Sequence, residues 1–285
     1  MIVKTMPATP PLQAGPVPAG GSPPASGIPS PVSTSGDGLR ASGAFTLLEL
    51  LTVIAIIAII AAMAMPTLRG LKPNAKAAAA RDLLDAVGRA RQLAISQRTT
   101  VYMVFLPPNF FSGLAGANWS RVQSLADKQL TGYAYLCLRS VGDQPGVHHP
   151  RYLSSWRTLP QGAFISPAKF GTGSTTLGNF TILPFSVTNN FPFPSENNPV
   201  TTKVALPYIA FDGTGQLVSG QSGGPELIPL TEGSVSVARD PNTKAALAQP
   251  AQATEQPPGN TVENYSVVWV DRLTGRAHIE RRKVQ

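Results

Sequence analysis

Residues 45–65, FTLLELLTVIAIIAIIAAMAM, form a run of 21 residues with a single charge, Glu49. At about 1.5 Å per residue such a run makes a helix of roughly 32 Å, enough to cross a hydrocarbon core. A helix of that length buried in a water-soluble core would show a polar face, and this one shows none. Residues 45–66 are therefore expected to be a membrane span ending on Pro66. A proline there lacks the amide proton and clashes with the preceding turn, so a kink is expected. The run also divides the chain. Residues 1–43 contain nine Pro and seven Gly, with no hydrophobic period. Residues 1–44 thus read as a disordered leader that buries nothing. They do not read as an ordinary secretory signal, because the apolar run begins only after residue 44.

Beyond Pro66 a helical pattern resumes over 67–100, now amphipathic. In 74–98, NAKAAAARDLLDAVGRARQLAISQR, the residues Leu83, Val87, Ala90, Ala94 and Gln97 share one stripe. Leu84, Leu93 and Ile95 widen it, and Arg81, Asp82, Asp85, Arg89, Arg91 and Arg98 mostly lie off it. One long helix over about 45–99 is expected, with an apolar half and an amphipathic half. From 101 to 285 the period becomes that of strands. Val101–Leu106, Gly132–Arg139, Ala163–Ser166, Phe180–Val187, Val204–Asp212 and Val235–Arg239 are the candidates. Tyr265–Val270 and Arg276–Arg282 read as a terminal hairpin turning at Asp271–Gly275, and Phe211-Asp212-Gly213-Thr214-Gly215 as a further turn. Segments 107–131, 140–155, 188–202 and 240–262 read as long connections, the last as a flexible one. The expected fold class is α+β: a long N-terminal α-helix, transmembrane in its first half, packed by its second half on a C-terminal antiparallel β-sheet or sandwich.

Composition narrows the chemistry. One Cys excludes an intrachain disulfide and any multi-cysteine metal site, and three His leave little for a histidine-based one. His148-His149-Pro150 reads as loop decoration, Cys137 as a buried core thiol, and Trp119, Trp156 and Trp269 as core or loop anchors. Nucleophile-elbow, phosphate-loop and zinc-protease patterns are missing from the sequence. No enzyme, metal or cofactor is expected. The net charge of +8 is uneven. Residues 101–270 carry nine basic and nine acidic side chains, so the excess sits on the helical stem and on the tail from 271 to 285. Such segments suit phosphates, of nucleic acid or of lipid head groups, or simply a solvated face.

Gly43-Ala44-Phe45-Thr46-Leu47-Leu48-Glu49-Leu50-Leu51 resembles the cleavage and methylation segment of type IV prepilins and type II secretion pseudopilins. The resemblance implies removal of residues 1–44 by a prepilin peptidase/methyltransferase, cutting between Ala44 and Phe45 and methylating the Phe45 amine. Glu49 then stands fifth in the mature chain and Pro66 twenty-second, both offsets matching the family's habit. The family usually has Gly before the cut; here Gly43 lies one place earlier, so cutting between Gly43 and Ala44 is the alternative. The resemblance further implies a pilin-like fold and a single-pass inner-membrane protein with its globular domain outside the cytoplasm. That protein then joins a filament in the periplasm or at the cell surface. Its partners would be other pilin or pseudopilin subunits and inner-membrane lipid, with Glu49 and Pro66 serving assembly. Arg69, Lys72 and Lys76 alone, read by the charge rule, would instead keep the large domain in the cytoplasm.

Ala90-Arg91-Gln92-Leu93-Ala94-Ile95 resembles the helix end of H-type (GspH/FimT-like) minor pseudopilins and minor pilins. Leu159–Phe164, Ile209–Gly215 and Thr274-Gly275-Arg276 are similar to their later elements. Some members of that group bind DNA through a basic C-terminal Gly-Arg-x-Arg segment. Here the second Arg is His278, and Arg276, Arg281, Arg282 and Lys283 are the candidate DNA contacts. Three readings follow: a subunit, minor in role, of a pseudopilus or pilus; a DNA-binding minor pilin for uptake; and a single-pass anchored binding domain that is not cleaved.

Overall fold

The computed structural model describes residues 46–70, 75–112, 114, 117–144, 149–197, 201–220 and 223–281, without the side chains of 61–70 and 201–203. The leader, both candidate cleavage bonds around Ala44, and Phe45, His148, Arg282 and Lys283 lie outside the described residues. The chain divides into two compact units, one ending at Ala61 and the other running from Ala62.

Helix α1 spans Leu47–Gly70 and continues as helix through Pro66. Its described side chains end at Ile60, and Leu47, Leu48, Ile54, Ile57 and Ile60 among them are exposed. Among the described residues no helix is long and apolar enough to cross a membrane. The expected N-terminal helix is present as α1, and a transmembrane role for it is not shown by the described residues. The next described helix, α2, begins at Ala75, and residues 71–74, where the expected single helix would run on, lie outside the described residues.

Helix α2 (Ala75–Gln97) buries Ala79, Ala80, Leu83, Ala86, Val87, Ala90 and Ala94. The stripe is mostly alanine, which lets the helix axis approach the sheets closely. Leu84, Leu93 and Gln97, expected on the stripe or its border, are only half-buried, and Ile95 is exposed. From α2 the chain passes through β1 (Val101–Phe105), α3 (Ala117–Val122), β2 (Gly132–Cys137), β3 (Arg151–Tyr152), β4 (Arg157–Thr158) and β5 (Ala163–Ile165). Two hairpins follow, β6 (Thr175–Leu177) with β7 (Phe180–Ile182) and β8 (Asn190–Phe193) with β9 (Thr201–Ala205). Then come β10 (Tyr208–Phe211), β11 (Glu226–Ser236), β12 (Gln252–Glu255), α4 (Asn260–Glu263), β13 (Ser266–Val270) and β14 (Ala277–Arg281).

Two antiparallel five-stranded sheets result. One has the order β10-β1-β2-β3 with β4 also on β2; the other has the order β12-β11-β13-β14 with β5 also on β11. Helix α2 packs on both. Its alanine stripe shares a core with Val101, Met103, Phe105 and Tyr135 of the first sheet and Ile165, Ile228, Leu230, Val268 and Val270 of the second. The opposite face of the first sheet holds a second core around Val104, Leu106, Leu136, Phe191, Phe193 and Leu206. That double burial explains why β1 and β2 read as near-continuous apolar runs. The outer face of the second sheet is covered at Leu227 and Val267 by the β6–β7 hairpin.

The α+β class with antiparallel sheets holds, and the terminal hairpin is in place, with Trp269 opposite His278 and Val270 opposite Ala277. Other elements differ. The expected strand Val235–Arg239 is only the end of β11, an eleven-residue strand beginning at Glu226. Pro225, Pro229 and Gly233 hide it from a propensity reading. The expected strand Val204–Asp212 is broken at Leu206-Pro207, and Phe180–Val187 is a strand only to Ile182. Segment 240–262 is not a bare loop, since it contains β12 and α4.

Candidate assembly site

Helix α1 opens on a cap. The Glu49 amide donates to Thr46 Oγ1 at 3.2 Å, so Thr46 is the N-cap and Glu49 the third helical residue. This is the Thr-x-x-Glu arrangement in which a hydroxyl satisfies an orphan amide at a helix start, while a carboxylate in the first turn meets the positive end of the helix dipole. Thr46 was not singled out by sequence; the Thr-x-x-Glu spacing before an apolar run is the signal for it. One turn on, the Thr52 hydroxyl lies 2.8 Å from the Glu49 carbonyl and 3.1 Å from that of Leu48, satisfying its own polarity within an apolar helix.

The second site is a junction. Arg91, half-buried on α2, donates through Nε to the carbonyls of Thr274 at 2.8 Å and Gly215 at 3.2 Å. Three separated pieces of sequence thereby meet: Ala90–Ile95, the turn at Asp212–Gly215 and the turn at Asp271–Gly275. Each turn is held by an aspartate. Asp212 Oδ1 accepts from the Thr214 amide at 2.9 Å and the Gln216 amide at 3.0 Å, and Asp271 Oδ1 accepts from the Thr274 amide and hydroxyl, both at 2.7 Å. The Thr274 amide holds the Asp271 carboxyl below its ordinary value of 3.8. A carboxyl whose pKa is lowered by folding contributes stability above its unfolded value and loses it as pH falls through the lowered one. The terminal turn of the wild type is thus expected to loosen only as pH drops below about 3.8, whereas Asp271→Ala is loose at every pH. Amide exchange at Thr274 and Gly275, followed from neutral to acid pH, checks this. Equal protection in the two proteins at neutral pH would refute it.

Of the candidate DNA contacts, Arg276 and Arg281 are among the described residues, and they stand at opposite ends of the last strand. Arg276 is exposed and lines a shallow open groove of about 690 Å³ with Arg89, Arg157, Asp82 and Asp85. Arg281 stands at the other end of β14, five residues on, a strand length of roughly 16 Å. His278, at the position of the second arginine, stacks on Trp269 at 5.8 Å and faces Glu280 at 3.5 Å. Cys137 is buried, and Trp156 donates to the Pro194 carbonyl at 2.9 Å, both in line with core and anchor roles. His149 Nδ1 lies 3.2 Å from Asp143 Oδ1 in an exposed loop. No group of three or more His, Cys, Asp or Glu able to hold a metal occurs among the described residues.

Residues 39–65 match the prokaryotic N-terminal methylation motif. The chain carries a prepilin-type cleavage and methylation signal. No curated protein and no solved structure matches the chain. The prepilin-type signal contains the Thr46–Glu49 cap and ends at Met65, one residue before Pro66. It implies processing by a prepilin peptidase, membrane-associated export and assembly with other pilin subunits, and it supports a structural, type IV pilin-like or pseudopilin subunit.

Proposed function

We propose that the chain is a minor subunit of a type II secretion pseudopilus or type IV pilus. It is held in the inner membrane by residues 45–65, cut between Ala44 and Phe45, methylated on Phe45, and built into a filament through its N-terminal helix. The methylation motif over 39–65 carries this reading. The cap supports it: a helix that begins at Leu47 holds the Glu49 carboxylate in its first turn. A carboxylate within a membrane span costs roughly 2.5–3.5 kcal/mol at the centre and less near an end, so it needs an opposite charge. The freed amine of Phe45 supplies one. The H-type subclass is supported by the way Arg91 ties its helix segment to the two glycine turns.

The test is the N-terminal sequence and intact mass after co-expression with a prepilin peptidase. The expected product begins at Phe45 and carries one added methyl group. A start at Ala44 would move Glu49 to sixth position and remove its proposed pairing. An intact leader, under conditions where a control prepilin is cut, would leave the anchored-domain reading in place of this one. Glu49→Ala is expected to be cut normally but to co-purify with filament partners at a small fraction of the wild-type yield.

A further inference from the structure

The basic excess of the sequence lies in two distant places, the stem with Arg69, Lys72 and Lys76 and the tail with Arg276, Arg281, Arg282 and Lys283. The fold brings one residue of each together. Leu230, Ser266 and Arg281 are cross-strand partners on β11, β13 and β14. Strand alternation puts Ser266 on the face of Val268 and Val270, and Arg281 on the face of Ala277 and Ile279, which is the face packed on α2. Glu232 follows Leu230 on the same face of β11. Lys76, in the first turn of α2, reaches this row. Its ammonium donates to the Asn264 carbonyl and lies 3.4 Å from Asn260 Oδ1. Lys76, Ala77, Glu232, Asn264, Ser266 and Arg281 line a cavity of about 130 Å³.

Two features of this cavity ask for a ligand. Ser266 is 1% exposed, and its hydroxyl is the buried side-chain polar atom left without a hydrogen-bond partner among the described residues. Buried hydroxyls are ordinarily paired, so an unpaired one on a residue that lines a polar cavity marks a missing acceptor. The charges are also unbalanced. Lys76 and Arg281 face one carboxylate, Glu232, and leave a net positive charge. Lys76 has three donors with two engaged, and the Arg281 guanidinium offers a planar set suited to phosphate oxygens. Burial holds the Lys76 ammonium below its ordinary value, with Glu232 opposing that shift and Arg281 adding to it.

We propose that Lys76, Ser266 and Arg281 form a binding site for a phosphate oxyanion. The Ser266 hydroxyl donates to one phosphate oxygen and the two cations to the others, while Glu232 keeps Lys76 charged. The phosphate comes either from free solution or from a lipid headgroup. The lipid source rests on the filament-subunit reading: Lys76 stands eleven positions after Met65, the end of the apolar run, a reach of at most about 38 Å.

Thermal unfolding of the full chain in a nonionic, phosphate-free detergent tests the site. Each protein is compared with itself in sodium chloride and in inorganic phosphate at equal ionic strength, so differences in folding between variants cancel. At about 20 mM phosphate the wild type and an Arg98→Gln charge control are expected to gain about 3 °C or more. Ser266→Ala and Arg281→Gln are expected to lose that gain. No gain in the wild type, or an equal gain in both site variants, overturns the proposal. The same pair of measurements in phosphatidylglycerol nanodiscs separates the sources. Loss of the phosphate response there means that a headgroup already fills the site, and a full response means that free phosphate is the ligand. A chain with an uncut leader would refute the filament reading and leave the detergent result untouched.

Discussion

Lys169→Met is expected to lose about 3–5 kcal/mol of folding stability, and Lys169→Met combined with Glu226→Leu to regain most of it. Lys169 is 1% and Glu226 5% exposed, and the ammonium is paired with Glu226 Oε1. It also donates to the Leu183 carbonyl at 2.6 Å and lies 4.7 Å from the centre of the Phe185 ring. Burial pushes Lys169 down and Glu226 up from their ordinary values, each opposed by its partner's charge. Removing one partner strands the other in an apolar site; removing both leaves a core. The sign with pH follows. A carboxyl whose pKa is raised by folding contributes stability below its unfolded value and loses it as pH rises through the raised one. In the Lys169→Met variant Glu226 lacks its cation, so the loss is smallest near pH 4.5 and grows toward neutrality. Urea unfolding of the full chain in nonionic detergent, at acid and neutral pH, measures both effects. A double variant as unstable as the single one would show that the pair is not the cause.

Gly275→Ala is expected to cost about 3 kcal/mol, a fall in Tm of roughly 6–12 °C. Gly275 has a φ of +62°, and a Cβ there would lie 2.0 Å from the Gly215 carbonyl oxygen and 3.2 Å from Arg91 Cδ. Both neighbours belong to the junction that ties α2 to the last hairpin, so the clash cannot relax without opening it. Gly88→Ala is the matched control. Gly88 lies within α2 with nothing within 4 Å of an added Cβ, so the same change there removes only a helix penalty and should stabilise by about 1 kcal/mol. Thermal melts of the two variants should therefore move in opposite directions. A fall in both would mean that the junction geometry is not what limits Gly275.

How much of this could be read in advance depended on how local the signal was. The terminal hairpin was legible because both strands and the Asp-x-x-Thr-Gly turn lie within seventeen residues, and the turn is closed by its own side chains. The amphipathic helix was legible from its period, although the residues it buries are mostly alanines and the larger Ile95 faces outward. Strand β11 was not legible. Pro229 lacks the amide a ladder uses, but its carbonyl accepts from the Ser166 amide at 3.0 Å. Gly233 adopts a φ of +155°, and an added Cβ would meet the Thr254 carbonyl at 2.1 Å. The chain around β12 reads as polar loop because its pairing partner, β11, is distant in sequence.

The sequence by itself determined the signal at 39–65, the apolar run, the amphipathic α2 and the final hairpin. Each rests on residues within one helix or one turn of each other, where period, capping and turn chemistry act directly. Only the tertiary structure decided that Arg91 joins two glycine turns 59 residues apart, that Lys169 and Glu226 share one buried site, and that Lys76 meets Ser266 and Arg281 at the end of the second sheet. Those contacts depend on which strands pair and in which register, and pairing is settled by the burial of whole sheet faces against α2 rather than by any short stretch of chain.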